Sequence, residues 1–241
     1  MKRLTTCLLS AALLAGATAA SAQTTYRLGL RGGLNRALTT LDGTNYSYYA
    51  QIGSVDKSAV YAWQAGAVAE VNFGKLAFQP ALVFSQKGEK YHSVAFFGDF
   101  GVTVVDQTGV NRYNWLELPL NVVYTLHGDH GLQVFAGPYV ALAVGGRQHS
   151  TIVRSDYFNP SAPITTEVVN TTITYGADTD NRRLDAGLNF GVGYRQGPLQ
   201  VQLGYGLGLR NLHEANEAYA LSAGDAYNRA AQLTATYFFK L

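Results

Sequence analysis

Residues 183–210, RLDAGLNFGVGYRQGPLQVQLGYGLGLR, contain a regular alternation of apolar and polar side chains. Apolar side chains occupy every second position on both sides of residues 196–198 (QGP), and glycine, amide and charged residues fill most positions between them. Successive side chains of a β-strand point to opposite faces, so the pattern predicts two strands joined by a tight turn. The apolar positions are Leu184, Ala186, Leu188, Phe190, Val192, Tyr194, Leu199, Val201, Leu203, Tyr205, Leu207 and Leu209.

The two faces of this predicted hairpin differ in size and polarity. A soluble barrel would turn its large apolar side chains inward. A small barrel in lipid turns them outward and keeps small and polar side chains in its interior. We interpret the hairpin as lipid-facing, because one of its faces is almost entirely apolar and the other is rich in glycine and amides.

Residues 1–22 have the features of a secretory signal peptide. Lys2 and Arg3 precede a short apolar run, and residues 20–22 (ASA) supply the small side chains of a cleavage site. We expect residues 1–22 to be removed, which leaves an outer-membrane β-barrel domain over residues 23–241.

The mature chain is formally neutral and free of cysteine. The full chain has 18 Lys and Arg against 16 Asp and Glu, and two of the cations, with the single cysteine, lie in the expected signal peptide. A neutral chain without a basic run argues against nucleic acid as a partner. Charged residues make up 14% of the chain and no second apolar stretch is long enough for a helix, which excludes a helical membrane protein and suits a barrel.

Six further segments alternate in the same way, which gives eight strands. They are residues 26–35, 63–73, 76–86, 115–126, 132–144 and 231–241. The connections alternate in length as well: 74–75, 127–131 and 196–198 are short, whereas 36–62, 87–114, 145–182 and 211–230 are long. Outer-membrane barrels have short periplasmic turns and long extracellular loops, with strands of ~9–11 residues. The sequence therefore predicts an all-β, eight-stranded antiparallel transmembrane barrel with periplasmic termini.

Aromatic residues are predicted to form a girdle near the periplasmic ends of the strands, on the lipid side. Such girdles mark the membrane interface. The predicted members are Tyr26, Phe73, Phe78, Tyr124, Tyr194, Tyr237 and Phe239.

Three prolines argue against regular strands. Pro80, Pro119 and Pro138 lie inside predicted strands, where each removes a ladder hydrogen bond. We expect bulges or local breaks there. A soluble β-sandwich with its apolar faces turned inward is the structural alternative.

Four short pieces of the sequence resemble the bacterial outer-membrane β-barrel domain family that includes the PorT-like proteins. The pieces are residues 28–35 (LGLRGGLN), 116–120 (LELPL), 137–139 (GPY) and 184–187 (LDAG). The resemblance implies an eight-stranded barrel in which Pro119 and Pro138 are usual features. It implies no single activity, although a few members are tied to the secretion of cargo proteins. The chain departs from the common aromatic last residue, because Phe239 is third from the end and Leu241 is last.

The interior of an eight-stranded barrel is only wide enough for side chains to fill, so we do not expect a wide pore. Charges in so narrow a space are costly unless they are paired. We predict a structural network of salt bridges, with a proton or ion path as the alternative. Its members are Arg27, Arg31, Glu70, Glu117, Arg183, Asp185 and Arg210, with Arg195 and Lys240 as further inward candidates.

The histidines give no ordered catalytic motif. His149 with Ser150, and His213 with Glu214, lie in predicted outer loops where a serine, a histidine and an acid would have to meet. Residues 127–130 (HGDH) contain metal-binding side chains, but a polar hairpin tip is the favoured interpretation. We therefore expect no catalytic, cofactor or metal site.

The predicted loops carry aromatic and β-prone residues that suit a protein or polysaccharide partner. They are Tyr46, Tyr48, Tyr49, Tyr61, Phe96, Phe97, Phe100 and the run 165–175. The alternative is that these residues extend the strands beyond the bilayer and pack on one another. We expect a non-enzymatic outer-membrane protein with a structural or interaction role through its loops. The alternatives are a component of a secretion or envelope-assembly apparatus and a loop-sited lipid-modifying or hydrolytic enzyme.

Overall fold

The computed structural model describes residues 24–42, 53–97, 103–176, 179, 181–213 and 225–240. The expected signal peptide lies outside the described residues, as do the loop aromatics Tyr46, Tyr48, Tyr49 and Phe100. No helix within the described ranges is long and apolar enough to cross a membrane.

Within those ranges the chain forms nine β-strands, numbered in chain order. They are β1 (Thr25–Asp42), β2 (Gly53–Phe73), β3 (Leu76–Phe97), β4 (Thr103–His127), β5 (His130–Asp156), β6 (Thr165–Thr172), β7 (Leu184–Gln196), β8 (Leu199–Gly208) and β9 (Asp225–Lys240).

Eight of these strands form a closed antiparallel ring. Strands β1 to β5 pair in sequence, β5 pairs with β7, and β8 and β9 follow. The ring closes between β1 and β9, since Leu30 lies opposite Tyr237 of β9 and opposite Ala67 of β2. The predicted eight-stranded antiparallel barrel is therefore confirmed. Strand β6 lies outside the ring and pairs with residues 147–154 of β5.

Apolar side chains face outward along the ring, and polar side chains face inward. Leu30 and Leu203 are 62% and 58% exposed, whereas Asn35 and Gln200 are fully buried in the interior. A soluble sandwich would instead bury its apolar faces against each other. The sandwich alternative is therefore wrong.

Tight turns join the strands at one end of the barrel. Gly74, Gly128 and Gly197 take positive φ angles of 85°, 70° and 58° at these turns, a conformation that glycine adopts without steric cost. Thr25 and Lys240, the first and last residues of the ring, lie at the same end because they start β1 and finish β9. We call this end the turn end and the opposite end the loop end.

Several strands continue well past the predicted boundaries at the loop end. Strands β3, β4 and β5 contain 22, 25 and 27 residues. Much of these regions was predicted to be loop, because their outward positions carry polar side chains and the apolar alternation is lost. The structure favours the alternative in which the strands extend. We call the extension the projecting sheet, which consists of residues 36–42, 53–62, 87–97, 103–114, 145–156, 165–172 and 225–230. We call the rest of the ring the barrel body.

Of the bulges or local breaks expected at the prolines, the bulges are wrong and the breaks are confirmed. Pairing of β2 with β3 is interrupted between Val68 and Val71, across from Pro80, and pairing of β4 with β5 is interrupted between Pro119 and Val122, across from Pro138. Pairing of β2 with β3 has the same register on both sides of Pro80, and Pro138 keeps its place opposite Leu188 of β7. Pro119 lies opposite Tyr139 of β5. Register shifts occur instead between Ala59 and Gln64, next to Trp115, and between Thr125 and His127. The first two places lie where the barrel body meets the projecting sheet, and the third lies at the turn end.

Candidate functional site

Glu70 is the centre of a cluster of charged side chains inside the barrel body, near the turn end. Its buried carboxylate bridges two arginines: Oε1 lies 3.2 Å from Arg27 Nη1, and Oε2 lies 2.6 Å from Arg195 Nη1. Gln79 Nε2 also donates to Oε2 at 2.7 Å. One carboxylate thus holds together side chains from β1, β2, β3 and β7.

Arg195, which the sequence offered only as a further inward candidate, is fully buried in this cluster. Its guanidinium lies 4.7 Å from the centre of the Phe238 ring, and its Nε donates to the Gly197 carbonyl at 3.0 Å. A cation over an aromatic face gains a favourable electrostatic contact. Arg195 therefore connects the interior to the turn between β7 and β8.

Arg27 extends this cluster to the turn end. Its Nη2 donates to Asp129 Oδ1 at 2.8 Å, in the turn between β4 and β5. Partial burial raises the pKa of the Asp129 carboxyl, but the hydrogen bond and charge of Arg27, with the charges of Arg195 and Lys240, outweigh burial and hold that pKa below its ordinary value. Asp129 is thus an anion that ties the turn to the interior.

Arg31 lies in the interior without an acidic partner among the described residues. Its Nε donates to Thr236 Oγ1 at 3.0 Å and its Nη2 donates to Gln202 Oε1 at 3.2 Å. Neutral oxygens thus hold this buried guanidinium in place.

A second interior cluster lies nearer the loop end. Glu117 Oε1 is 2.5 Å from Lys87 Nζ, and both side chains are buried. The Lys87 ammonium also lies 4.9 Å from the centre of the Tyr139 ring. Asp185 Oδ2 accepts hydrogen bonds from the Tyr139 hydroxyl at 3.0 Å and from Asn228 Nδ2 at 2.8 Å. Lys87 was missed by the sequence analysis, because it lies in a region predicted to be a loop.

Two predicted members of the interior network lie elsewhere. Arg183 and Arg210 are exposed, because β7 starts at Leu184 and β8 ends at Gly208, before the chain would carry these arginines into the interior. Arg183 Nε donates to the Tyr175 carbonyl at 3.4 Å. Lys240 is exposed as well. The structure thus brings Arg27 together with Glu70, and it separates Arg183 and Arg210 from both clusters.

The seven predicted girdle aromatics all point away from the interior, with exposed side chains near the turn end. The Tyr237 and Phe239 rings pack edge to face with centres 5.2 Å apart. Their exposed fractions lie between 38% and 60%, for Tyr26, Phe73, Phe78, Tyr124, Tyr194, Tyr237 and Phe239. Their contact with a membrane interface stays a prediction.

The middle of the barrel is filled by side chains. A cavity of about 20 Å³ remains there, lined by residues that include Arg31, Glu117 and Gln202. Such a volume holds about one water molecule. The described interior therefore leaves no room for a solute.

The loop end of the interior is covered by the connection that follows β6. The Tyr175 ring packs edge to face on Trp115 with centres 6.3 Å apart, and the Tyr175 hydroxyl donates to the Gly145 carbonyl at 3.2 Å. Burial, with a contribution from the charge of Glu89, raises the pKa of Tyr175, so its hydroxyl stays a donor. Leu212 is buried in the same cluster.

The histidines do not form a catalytic arrangement in the described chain. His149 is exposed, with Nδ1 2.7 Å from Asn170 Oδ1, whereas the neighbouring Ser150 is buried on the opposite face of β5. The His127 and His130 rings stack with centres 5.9 Å apart. No group of three His, Cys, Asp or Glu side chains in the described ranges could hold a metal ion. Glu214, the acid next to His213, lies outside the described residues.

Strand β6 gives the projecting sheet an open edge. One side of β6 pairs with β5, and within the described chain no strand pairs with its other side. Val168 is 58% exposed on this strand. Arg154 of β5 and Glu167 of β6 form an exposed ion pair at 2.9 Å. The edge therefore presents β-branched residues and unpaired backbone groups at the loop end.

A family model and several solved structures are similar to this chain. The model of a family described as "Outer membrane protein beta-barrel domain" matches residues 21–214. Among solved structures, Ail, the attachment invasion locus protein of Yersinia pestis, has a TM-score of 0.39 at 10% identity, over 89% of this chain and 99% of that chain. A second structure of Ail, with the heparin analogue sucrose octasulfate, has a TM-score of 0.37 at 10% identity, over 89% of this chain and 99% of that chain. Neisserial surface protein A has a TM-score of 0.38 at 9% identity, over 88% of this chain and 97% of that chain. No curated protein sequence matches the chain.

Proposed function

The chain belongs to the outer membrane protein β-barrel domain family, and on that premise we propose that it is a non-enzymatic barrel that binds a partner through its projecting sheet. Its location is the bacterial outer membrane. In barrels of this kind the short turns face the periplasm and the long connections face outward. The projecting sheet is thus presented to the outside of the cell.

The observation that carries this proposal is the length of the strands. A strand needs ~9–11 residues to cross the hydrocarbon, and β5 has 27. At ~3.3 Å per residue, the 12 residues 145–156 extend β5 by about 40 Å beyond the barrel body. A barrel that served only as a membrane anchor would not need this extension.

The open edge of β6 supports a protein partner. Unpaired N–H and C=O groups of an edge strand accept an added strand from another chain, and pockets for alternate side chains then give specificity. Residues 165–172 (TTEVVNTT) contain six β-branched residues and no proline or lysine, the residues that commonly block such pairing. A polysaccharide partner would instead use polar side chains on the faces of the sheet.

The filled interior supports a binding role over transport. The buried clusters around Glu70 and Glu117 occupy the middle of the ring, and the cavity between them has a volume of about 20 Å³. Movement of a solute through this barrel would require these ion pairs to break.

Site-specific crosslinking on living cells tests the proposal. A photoreactive amino acid at Val168, on the exposed edge, should give a crosslink to a partner protein on illumination. The same amino acid at Leu203, on the lipid-facing surface of the barrel body, is the matched control and should give none. The absence of a crosslink from Val168, in cells that contain the folded protein in the outer membrane, would contradict a protein partner at the edge.

A second candidate function has its own observation at the turn end. A groove of about 530 Å³ lies there, lined by residues that include Arg27, Asp129, Tyr237, Phe239 and Lys240. A component of a secretion or envelope-assembly apparatus would contact its periplasmic partners at this groove. A crosslink from Lys240 with none from Val168 would favour this alternative.

A further inference from the structure

Two arginines lie directly above the apolar outer surface of the barrel body. On β4 the outward side chains change from Leu118 and Leu116 to Asn114 and Arg112. On β5 they change from Leu142 and Val144 to Arg147. Lipid headgroups meet a barrel at the place where its apolar surface ends. These guanidinium groups are therefore at the level of the headgroups on the loop side.

The two arginines are cross-strand neighbours. Arg112 and Arg147 lie opposite each other in the pairing of β4 with β5, so two like charges share one site. Like charges in directly opposite positions destabilise a sheet. An anion bound between them would remove this repulsion.

The two guanidinium groups differ in the number of hydrogen bonds that they donate within the protein. Arg112 Nη1 donates to the Tyr61 carbonyl at 3.0 Å and to Gln86 Oε1 at 3.1 Å, which fixes its position. The Arg147 side chain is exposed, and its guanidinium makes no hydrogen bond or ion pair with any other described residue. Arg147 thus has all its donors available for a ligand, beside a second arginine that is already oriented.

The arginine pair lines an open groove of about 500 Å³ on the outer face of the projecting sheet. Strand β6 forms its far wall with Asn170 and Thr172, and His149 lies between the walls. Two guanidinium groups with a nearby amide and a hydroxyl match the hydrogen-bonding needs of a phosphate, which arginine binds with two parallel bonds. The groove therefore combines a concave shape with donors for an anion.

A second pair of arginines lies across the ring, also beyond the apolar outward positions of its strands. Arg36 of β1 and Arg229 of β9 are both on outward positions of neighbouring strands, two residues apart in register. The arginines near the turn end, Arg27 and Arg195, face inward instead. Within the described chain, outward arginines next to the apolar surface therefore collect at the loop end.

We propose that the groove of Arg112 and Arg147 binds the phosphate group of a lipid headgroup in the outer leaflet. The lipid is favoured over a soluble anion because the groove opens beside the apolar surface, where the acyl chains of the same lipid find contact with Leu116 and Val144. Charge attraction near a membrane surface adds to this contact. This inference is independent of the partner proposed for the edge of β6.

Titration of the full chain, refolded in a neutral detergent, tests this inference. The probes are diphosphoryl lipid A, the same lipid after removal of both phosphates, and inorganic phosphate. The wild type should bind the phosphorylated lipid at least about tenfold more tightly than the dephosphorylated form. The double variant Arg112→Gln/Arg147→Gln should lose about tenfold in affinity for the phosphorylated lipid, and Arg112→Lys/Arg147→Lys should lose less, since it keeps the charge but not the paired hydrogen bonds.

The control removes a cation at the turn end, Lys75→Gln, and should leave the affinity within about twofold. Folding of each variant is checked by the gel mobility of the unheated protein. An equal loss of lipid affinity in Arg112→Gln/Arg147→Gln and in the turn-end control, or no loss in either, would overturn the proposal. Inorganic phosphate that binds the wild type as tightly as the lipid does would assign the groove to a soluble anion and overturn the proposal as well.

Discussion

The barrel body and the projecting sheet are made of the same strands in two different surroundings. In the body, outward side chains such as Leu30 are apolar and inward ones such as Gln200 are polar. In the sheet, outward positions carry polar groups such as His92, Arg112 and His149. The strict alternation of apolar and polar residues is therefore present where a strand contacts lipid. Where the strand extends beyond the lipid, the outward positions become polar and the alternation disappears.

Two ion pairs, one in each region, lie in different surroundings. Glu70 and Arg195 of the barrel body are both buried, whereas the side chains of Arg154 and Glu167 on the projecting sheet are 42% and 53% exposed. Removal of one partner leaves an uncompensated charge only where water cannot replace the partner. The same kind of substitution should therefore have very different effects on these two pairs.

The largest effect is expected for Glu70→Gln. The variant leaves Arg27 and Arg195 without their shared carboxylate in the interior, which should lower the free energy of unfolding by about 3–5 kcal/mol. Urea unfolding of the refolded protein in detergent, followed by intrinsic fluorescence, measures this change. A loss below about 1 kcal/mol would mean that the cluster does not stabilise the barrel body.

The next largest effect is expected for Gly137→Ala, at a close approach of two strands. A Cβ at this position would lie 2.1 Å from the Leu120 carbonyl oxygen, so the backbone must shift and the stability should fall by about 1–3 kcal/mol. Gly32→Ala is the matched control, because a Cβ there meets nothing within 4 Å. Equal unfolding midpoints for the two variants would contradict the packing between β4 and β5.

Glu167→Gln should change stability by less than about 1 kcal/mol, because water can solvate the partly exposed Arg154 guanidinium in place of its partner. The same urea titration measures it, with Glu70→Gln run in parallel. A loss as large as that of Glu70→Gln would show that the projecting sheet is as well shielded from water as the interior.

The smallest effect is a pH dependence at the turn end. The pKa of Asp129 is held below its ordinary value, so its contribution to stability is present above the unfolded pKa of ~3.9 and is lost as the pH falls through the lower, folded value. Asp129→Asn removes this contribution, so it should lower the stability near pH 7 and flatten the profile below about pH 4, where variant and wild type should converge. A profile that keeps its slope in this variant would assign the acid sensitivity to other carboxylates.

The barrel body was predictable from sequence because lipid contact imposes a period of two on its strands. The hairpin of β7 and β8 and the inward position of Glu70 both follow from that period. The partner of Glu117 did not follow, because Lys87 lies where the outward face becomes polar and the period is no longer visible.

Arg183 and Arg210 illustrate the opposite error. They were predicted to face the interior because they fall on the inward positions of the two-residue alternation. That alternation holds only while the chain remains a strand, and β7 and β8 stop short of both residues. The arginines above the apolar surface were missed for a related reason. Cross-strand register brings Arg112 next to Arg147, and a single strand carries no information on that register.

One measurement tests the division into barrel body and projecting sheet most directly. Intact cells are treated with protease, and the extracted protein is then run on a gel in detergent, unheated and boiled, with the cleavage sites read by mass spectrometry. We predict a compact, faster band before boiling and cleavage in the connection 157–164, with residues 87–97, 103–114 and 145–156 left uncut. Cleavage throughout those three ranges would mean that they are loops, and a mobility unaffected by boiling would contradict the closed barrel itself.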